Sequence, residues 1–212
     1  MDLITQGEAL EQTPLQAGEQ AHLFTARRFD GLEFLSATFR THAYAPHVHD
    51  TYAIGTIEVG CEIWHARGRK LFAGPGDIVF NQPLDVHDGA PSEGGYRYRM
   101  SYPTVELMRE VAASLTGRSD IGTPFFGEPT VRDPEGAALF GAAHRVLEEG
   151  GDALAGEEGL LRAYGWCLAR HADLTVRGVG RESGPIAQAR AMLEQRYDED
   201  LSLAELAKRS GL

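Results

Sequence analysis

The sequence has only two cysteines, Cys61 and Cys167, and they lie more than a hundred positions apart. They form no CxxC or similar pair, which excludes a disulfide framework and a zinc knuckle and leaves them as small core residues. Long apolar runs are missing too. No stretch approaches the ~18 uninterrupted apolar residues of a membrane span, and no charged start leads into an apolar segment. We therefore expect a cytoplasmic protein without membrane contact.

Positive charge is also scarce. The 212 residues include 20 Lys and Arg against 31 Asp and Glu, for a formal net charge of -11. A chain whose main surface grips phosphate backbones needs clustered basic residues, so that class is disfavoured. The acidity is uneven, because the last 32 residues carry a charge of only about -1. The two ends of the chain are therefore expected to have different roles.

The overall composition is that of an ordinary globular protein. Hydrophobic residues make up 42% of the chain and charged residues 24%, which gives no reason to expect disorder throughout. The length exceeds that of one small domain, so one large core with a second, smaller unit is expected.

Between Leu32 and Tyr102 the sequence alternates in the manner of β-strands. β-Branched and aromatic residues recur at period two in residues 32–40, 53–66, 77–82 and 95–102. The turns HARGRK (65–70) and AGPGD (73–77) separate them and are typical of hairpins. Many short strands at this spacing predict an all-β barrel or sandwich.

After Pro103 the apolar period becomes helical. Three segments show it: Met108, Val111 and Leu115; Leu139, Ala143 and Val146; Leu160, Tyr164, Cys167 and His171. Asp133-Pro134-Glu135 is a helix start signal, with a capping carboxylate and a proline at the first helical position. One barrel cannot cover three such apolar stripes. They are expected to meet each other or a second subunit, so we predict a homodimer built from residues 103–172.

The C-terminal part begins with a glycine-rich segment without periodicity, TVRGVGRESG (175–184), which predicts a linker. Pro185 then opens a helix with the apolar face Ile186, Ala189, Leu193 and Tyr197. Ser202 and Glu205 match a capping box at the start of a second helix, whose apolar side is Leu203, Leu206 and Ala207. Two short helices joined by a bend are the first half of a helix-turn-helix, although any small helical bundle carries the same pattern.

Two segments show a resemblance to one family. ARAMLEQRYDEDLSLAELAKRSGL (189–212) resembles the start of the DNA-binding domain of AraC-type transcription regulators. PHVHDTYAIGTIEVG (46–60) and AGPGDIVFNQPLDVHDG (73–89) resemble the cupin-type effector-binding half of the same family, in the family's usual order. The resemblance implies an α+β protein with a jelly-roll, cupin-like barrel, then helices, then the beginning of a helix-turn-helix domain. The corresponding domains are an effector-binding barrel at 1–102, a helical linker and dimerisation region at 103–174, a linker at 175–184 and the first DNA-binding helices at 185–212.

The resemblance implies a ligand-responsive regulator rather than an enzyme, with a small-molecule effector and DNA as partners. In the family a recognition helix follows the turn, whereas this sequence stops at Leu212, before any residue that would reach a base edge. The chain as printed is not expected to read DNA, and its DNA-reading residues stay unknown. Leu203, Leu206 and Ala207 would serve as scaffold for that missing helix.

His47 and His49 are the most conspicuous polar pair. Two residues apart on a strand, they face the same side of a sheet. The resemblance places His87 where cupins have a third histidine, and three neutral imidazoles would suit Zn²⁺, Ni²⁺ or Fe²⁺. The metal-binding cupin pattern also supplies a glutamate, where this sequence has Ala53 and Ile54. The alternatives are a metal-free effector pocket and an exposed pair without function.

Other candidates for effector contact are Arg40, Tyr52, Trp64, Tyr98 and Arg99. Each type is also common as a packing or surface residue. An arginine among inward-facing residues would need an anionic partner, which favours Arg40 slightly.

Two other functions stay open at this point. One is a cupin metalloenzyme, a dioxygenase or isomerase, in which the three histidines hold a catalytic metal. The other is a stand-alone sensor that acts through protein contacts.

Overall fold

A computed structural model of the chain describes residues 3–26, 29, 31–118, 120–174, 184–196 and 201–211. The chain falls into two units, Met1–Leu174 and Thr175–Leu212. The first unit contains α1 (Gln6–Glu11), β1 (Gln20–Ala26), β2 (Leu32–Phe39), β3 (Tyr44–His47), β4 (Ala53–Ala66), β5 (Arg69–Ala73), β6 (Asp77–Asn81), β7 (His87–Ser101), α2 (Val105–Thr116), β8 (Phe125–Phe126), β9 (Thr130–Arg132), α3 (Pro134–Glu148), α4 (Ala153–His171) and β10 (Ala172–Asp173). The second unit contains α5 (Gly184–Gln195) and α6 (Leu203–Ser210). None of the described helices is both long and apolar enough to cross a membrane.

Eight strands form one antiparallel sheet. Its order is β1-β2-β7-β4-β6-β9, with β3 added to β7 and β5 added to β4. β4 and β7 are the longest strands, with 14 and 15 residues, and their pairing shifts register between Ile57 and Val59 and again between Gly60 and Glu62. Such bulges bend a strand, so each long strand takes different partners along its two halves and the sheet curves. The predicted α+β, cupin-like fold is confirmed.

Glycine is required at one of these bulges. Gly60 has a φ of 77°, and an added Cβ there would overlap the carbonyl oxygen of Gly95 on the neighbouring strand. The hairpin between β4 and β5 also turns through positive φ, at Arg67 (51°) and Gly68 (72°), as a two-residue turn requires. The predicted hairpin at 73–77 is different. It joins β5 to β6, and both strands pair with β4 rather than with each other.

The predicted helix start at Asp133 is confirmed. The Asp133 carboxylate accepts a hydrogen bond from the Gly136 backbone N–H at 2.9 Å, and Pro134 occupies the first turn of α3. The other carboxylate oxygen accepts from Trp166 Nε1 at 2.8 Å and lies 2.7 Å from His171 Nε2. One side chain therefore caps α3 and ties it to α4.

The two faces of the curved sheet bury two separate cores. One face packs against α2, α3 and α4, in a cluster that includes Phe34, Ile54, Phe80, Met108, Phe126, Phe140, Leu160 and Tyr164. The other face lines the interior of the barrel with Leu35, Phe39, Ile57, Trp64, Val79, Tyr96, Tyr98 and Tyr102. The helical stripes are thus largely buried within this unit, against the sheet and each other. A second subunit is not needed to cover them. The region predicted to be helical also contributes a strand, β9, which pairs with β6.

The second unit contains the two predicted C-terminal helices. Ser202 caps α6 by accepting from Glu205 N at 3.2 Å, whereas the Glu205 carboxylate accepts from Arg209 at 3.0 Å. Leu206 and Ala207 are half-buried, but Leu203 is 88% exposed, which corrects its predicted place on the apolar face. The physical reason is its position: Leu203 is the first residue of α6, directly after the cap. Tyr197 and residues 175–183 of the predicted linker lie outside the described residues, and Gly184 begins α5.

Candidate functional site

Three histidines converge in the barrel. One ring nitrogen from each of His47, His49 and His87 lies within 4.8 Å of those of the other two. The ring centroids are 4.3 Å apart for His47 and His87, 4.8 Å for His47 and His49, and 5.2 Å for His49 and His87. The predicted convergence of these residues is confirmed.

The sheet pairing brings these residues together. His47, the last residue of β3, lies opposite His87, the first residue of β7. His49 lies beyond the end of β3, so the two histidines do not share one regular strand as expected. An isolated bridge between Val48 and Leu3 holds that extended segment, and Ile4 N donates to the Val48 carbonyl at 3.2 Å. The N-terminal segment therefore positions His49.

His87 Nδ1 lies 3.0 Å from the Asp85 carbonyl oxygen, an acceptor, and 2.6 Å from Asn81 Nδ2, a donor. These two contacts do not select one tautomer of His87.

Backbone carbonyls fix which ring nitrogen of His47 and His49 is free. Their Nδ1 atoms lie 2.7 Å from the carbonyl oxygens of Ala45 and Ile4. A carbonyl oxygen only accepts, so Nδ1 carries the hydrogen in both rings and Nε2 keeps its lone pair. Metal-bound histidines typically use their second nitrogen in this way. His49 Nε2 is buried and has no hydrogen-bond partner in the described part of the chain.

Burial keeps these imidazoles neutral. Loss of hydration lowers the pKa of His49 to about 4 and that of His87 to about 3, and it lowers the pKa of His47 as well. The neighbouring rings lower the pKa of His49 and His87 further. At neutral pH all three side chains are therefore in the form that binds metal ions.

The residues fit a divalent cation. Three atoms within 4.8 Å of one another lie within about 2.8 Å of a common point, and zinc–nitrogen bonds measure about 2.0–2.1 Å. Moving each ring by about 0.7 Å toward that point would bring its nitrogen to the zinc–nitrogen bond length. Among the described residues, no carboxylate belongs to the group. Three nitrogen ligands would leave positions open for another molecule.

A cavity of about 40 Å³ adjoins the histidines, with room for about three waters. Its walls come from α1, β3, β4, β6, β7 and the residue after β7: Gln6, Tyr44, His47, Ala53, Glu62, Trp64, Val79, Asn81, His87, Asp88, Tyr98, Met100 and Tyr102. Two of the five residues predicted for effector contact, Trp64 and Tyr98, are among them.

The structure places Arg40 and Tyr52 elsewhere, which corrects the prediction that they line the same pocket. Arg40 is exposed after the end of β2, and its backbone N–H donates to Glu19 at 2.8 Å. Tyr52 lies in the helix-side core, where its hydroxyl donates to the Pro124 carbonyl at 2.6 Å. Neither side chain therefore lines the cavity: Arg40 lies at the surface and Tyr52 lies in the core on the helix side of the sheet.

Arg99 is also outside the pocket, which corrects its predicted role. It faces α3 and pairs with Glu58 and Glu148. Its neighbour Tyr98 faces the cavity, and strand alternation turns Arg99 the opposite way.

Sequence reasoning missed Glu62. It is only 6% exposed, and burial raises the pKa of its carboxyl group to about 7. Its described partner is the Tyr96 hydroxyl, which donates to it at 3.2 Å. The sequence could have indicated Glu62, because it lies two residues from Trp64 on the same strand, and residues at that spacing face the same side of a sheet.

Comparison with known proteins decides the family. The sequence model of the AraC-like ligand binding domain matches residues 30–163, which is more than half of the chain. The chain belongs to this family.

One curated relative agrees with this assignment, and one solved structure agrees with the fold. The chain is 25% identical over 203 residues to YbfI of Bacillus subtilis (strain 168), an uncharacterized HTH-type transcriptional regulator, and the match covers 95% of this chain and 70% of YbfI. The crystal structure of the AraC-like transcriptional activator CuxR matches with a TM-score of 0.52 at 16% identity, covering 94% of this chain and 75% of CuxR. The CuxR match supports the fold. The prediction of a ligand-responsive transcription regulator, rather than an enzyme, is confirmed by the family and the relatives.

Proposed function

We propose that this AraC-type regulator senses its effector in the barrel at a divalent metal ion held by His47, His49 and His87. The observation that carries the proposal is the geometry of the three rings: one nitrogen of each converges with the others, and the Nδ1 atoms of His47 and His49 donate to backbone carbonyls. A bound Zn²⁺, Ni²⁺ or Fe²⁺ would act as a Lewis acid toward an oxygen or nitrogen donor of the effector. Trp64 and Tyr98 would contact the effector in the same cavity.

Strand β7 contacts both the cavity and the helices, so it could transmit effector binding from one to the other. Tyr98 and Met100 line the cavity, whereas the alternating residues Arg99 and Ser101 face the other side. Arg99 pairs with Glu148 of α3, and Tyr164 of α4 donates to the Ser101 hydroxyl at 2.8 Å. An effector that binds two arrangements of β7 with different affinities would therefore bias the positions of α3 and α4.

The remaining domain assignments belong to the same proposal. Residues 1–102 would bind the effector, 103–174 would link and dimerise, 175–184 would connect, and 185–212 would begin the DNA-binding domain. The name of YbfI as an HTH-type regulator supports DNA as a partner. A regulator that acts on DNA works inside the cell, and we place the protein in the cytoplasm.

Elemental analysis tests the metal site. The purified chain is stripped with a chelator, incubated in turn with Zn²⁺, Ni²⁺ or Fe²⁺ and dialysed, and its metal content is then measured. We expect one equivalent per chain for at least one metal. Retention of no metal by a chain with native circular dichroism would contradict the proposal and would favour a metal-free effector pocket.

Dimerisation gives a separate prediction. Leu154 and Leu161 are exposed large apolar residues on α4, seven positions apart and therefore on one face of the helix. We expect a dimer by light scattering at tens of micromolar, and a monomer after the double change Leu154→Glu and Leu161→Glu, because two charges would be desolvated in the interface.

The matched control for the dimer test is Val59→Glu with Phe72→Glu. These residues are also exposed and apolar, but they lie on β4 and β5 of the barrel rather than on a helix. The control makes the same change of charge and apolar surface, and it should leave the dimer intact. A monomeric mass for the unmodified chain would contradict the prediction.

A further inference from the structure

Without a metal ion, the barrel interior is negatively biased. Two carboxyl groups, those of Glu62 and Asp88, line the cavity together with neutral imidazoles, and its described walls include no Lys or Arg. Asp88 has partners, because its carboxylate accepts from the backbone N–H of His65 at 2.7 Å and lies 3.0 Å from the His65 ring. Glu62 has only the Tyr96 hydroxyl, and in the described part of the chain no basic side chain forms an ion pair with it. A buried carboxylate with so little compensation favours a cationic ligand.

Two further polar groups on the cavity wall lack partners. Trp64 is 2% exposed, and its indole N–H has no hydrogen-bond acceptor among the described residues. Asn81 Nδ2 lies 2.6 Å from His87 Nδ1, and Asn81 Oδ1, an acceptor, has no partner in the described chain. Buried polar groups are normally paired, so these atoms point to a ligand that carries both a donor and an acceptor.

We propose that the cavity binds a small organic cation, a primary ammonium group next to a hydroxyl group. The ammonium would pair with Glu62, and the hydroxyl would accept from Trp64 Nε1 and contact the free Asn81 atom. The aromatic walls of Trp64 and Tyr98 suit a cation as well. This inference rests on the proposed function, because it names the chemical class of the effector that binds in the same barrel.

The size of the cavity limits the ligand. A volume of about 40 Å³ corresponds to about three waters, so the group that enters has only a few non-hydrogen atoms. Ethanolamine, with four, is a suitable probe. Three compounds of similar size separate its features: ethylamine lacks the hydroxyl, ethylene glycol lacks the charge, and glycolate reverses the charge.

Ionisation of Glu62 supplies an independent readout. Burial raises the pKa of Glu62 to about 7, and the charge of Asp88 acts in the same direction, while Tyr96 donates to the carboxylate. The carboxylate form increases from pH 6 to pH 8, and ammonium binding should strengthen roughly tenfold over that range. Across this range His87 and the tyrosines around the cavity stay neutral, since burial lowers the pKa of His87 to about 3 and raises that of the tyrosines: Tyr44, Tyr96, Tyr98 and Tyr102. Burial also lowers the pKa of His47.

The test is an NMR titration of the full 212-residue chain, stripped of metal with a chelator, with the four probes at pH 6 and pH 8. We expect ethanolamine to bind most tightly, ethylamine and ethylene glycol more weakly, and glycolate not at all. Glu62→Gln should lower the affinity for ethanolamine at least tenfold and remove its pH dependence, and Tyr96→Phe should lower it to a smaller extent. Glu93→Gln removes an exposed carboxylate of β7 and should change nothing.

Equal binding of ethylene glycol or glycolate would overturn the inference, as would failure of ethanolamine to bind or an unchanged affinity in Glu62→Gln. Loss of binding by Glu93→Gln as well would mean that net charge, rather than Glu62, attracts the probe. Reloading the same samples with metal separates the two proposals. Suppose that the metal-free chain does not bind ethanolamine but takes up one equivalent of metal on reloading: the ammonium site is then refuted and the metal site stands.

Discussion

Replacing His87 with alanine is expected to lower the affinity of the chain for Zn²⁺ by at least about a hundredfold, because loss of a direct ligand exceeds the 10–100-fold effect of losing a group that only orients a ligand. His87 lies opposite His47 in the sheet, and its ring centroid is 4.3 Å from that of His47 and 5.2 Å from that of His49. Competition with a chromophoric chelator measures the change directly.

The matched control for this substitution is His22→Ala. His22 is on β1, outside the cavity, with its side chain 58% exposed. Its removal should leave the zinc affinity within about twofold of the unmodified chain, since an exposed histidine that holds no metal contributes nothing to the site. An unchanged affinity in a correctly folded His87→Ala chain would show that zinc binds elsewhere.

Replacing Phe80 with alanine is expected to destabilise the first unit by about 3–5 kcal/mol, the usual cost of truncating a buried aromatic residue. Phe80 is fully buried and stacks on Phe126 with the ring centroids 4.1 Å apart and the planes 6° apart. It contacts the helix-side core, so its loss would leave a cavity between β6 and the helices. Urea unfolding followed by circular dichroism measures the free energy of unfolding.

Phe72→Ala is the matched control for Phe80→Ala. Phe72 lies on β5 and is 57% exposed. Removal of its ring should change the free energy of unfolding by only about 0.5 kcal/mol. Similar losses for both substitutions would contradict the assigned core. A small loss for Phe80→Ala alone would mean that the helices do not pack on this face of the sheet.

The regular elements could be predicted from apolar periodicity. The segment predicted at 53–66 has the same bounds as β4, and α2, α3 and α4 contain the three helical stripes. Sequence periodicity missed α1 and the strands β1, β3, β5, β8, β9 and β10. β3 has only four residues, including Pro46, and this is too short for period two to be visible. The start of β7 was missed because Gly89 and Pro91 interrupt the alternation within one continuous strand.

The candidate site was only partly predictable. The spacing of two histidines identified His47 and His49, and the resemblance to a known family added His87. Side-chain direction within strands decided the rest. Trp64 and Tyr98 face inward, whereas Arg99, one residue from Tyr98, faces α3. Residue type alone could not show which side chains face the cavity. Bulges in the pairing of β4 and β7 change which residues lie opposite each other, and the sequence does not reveal where those bulges are. Glu62 was overlooked because a glutamate within a strand is normally exposed.

The most direct test of the central claim, that the three histidines form a metal centre in the barrel, is an anomalous difference map. Crystals of the chain grown with Zn²⁺ would be measured above and below the zinc absorption edge. The proposal predicts a peak bonded to Nε2 of His47, His49 and His87 at about 2.0–2.1 Å. Crystals that show zinc peaks only at other positions, with the three imidazoles well ordered and unbound, would contradict it.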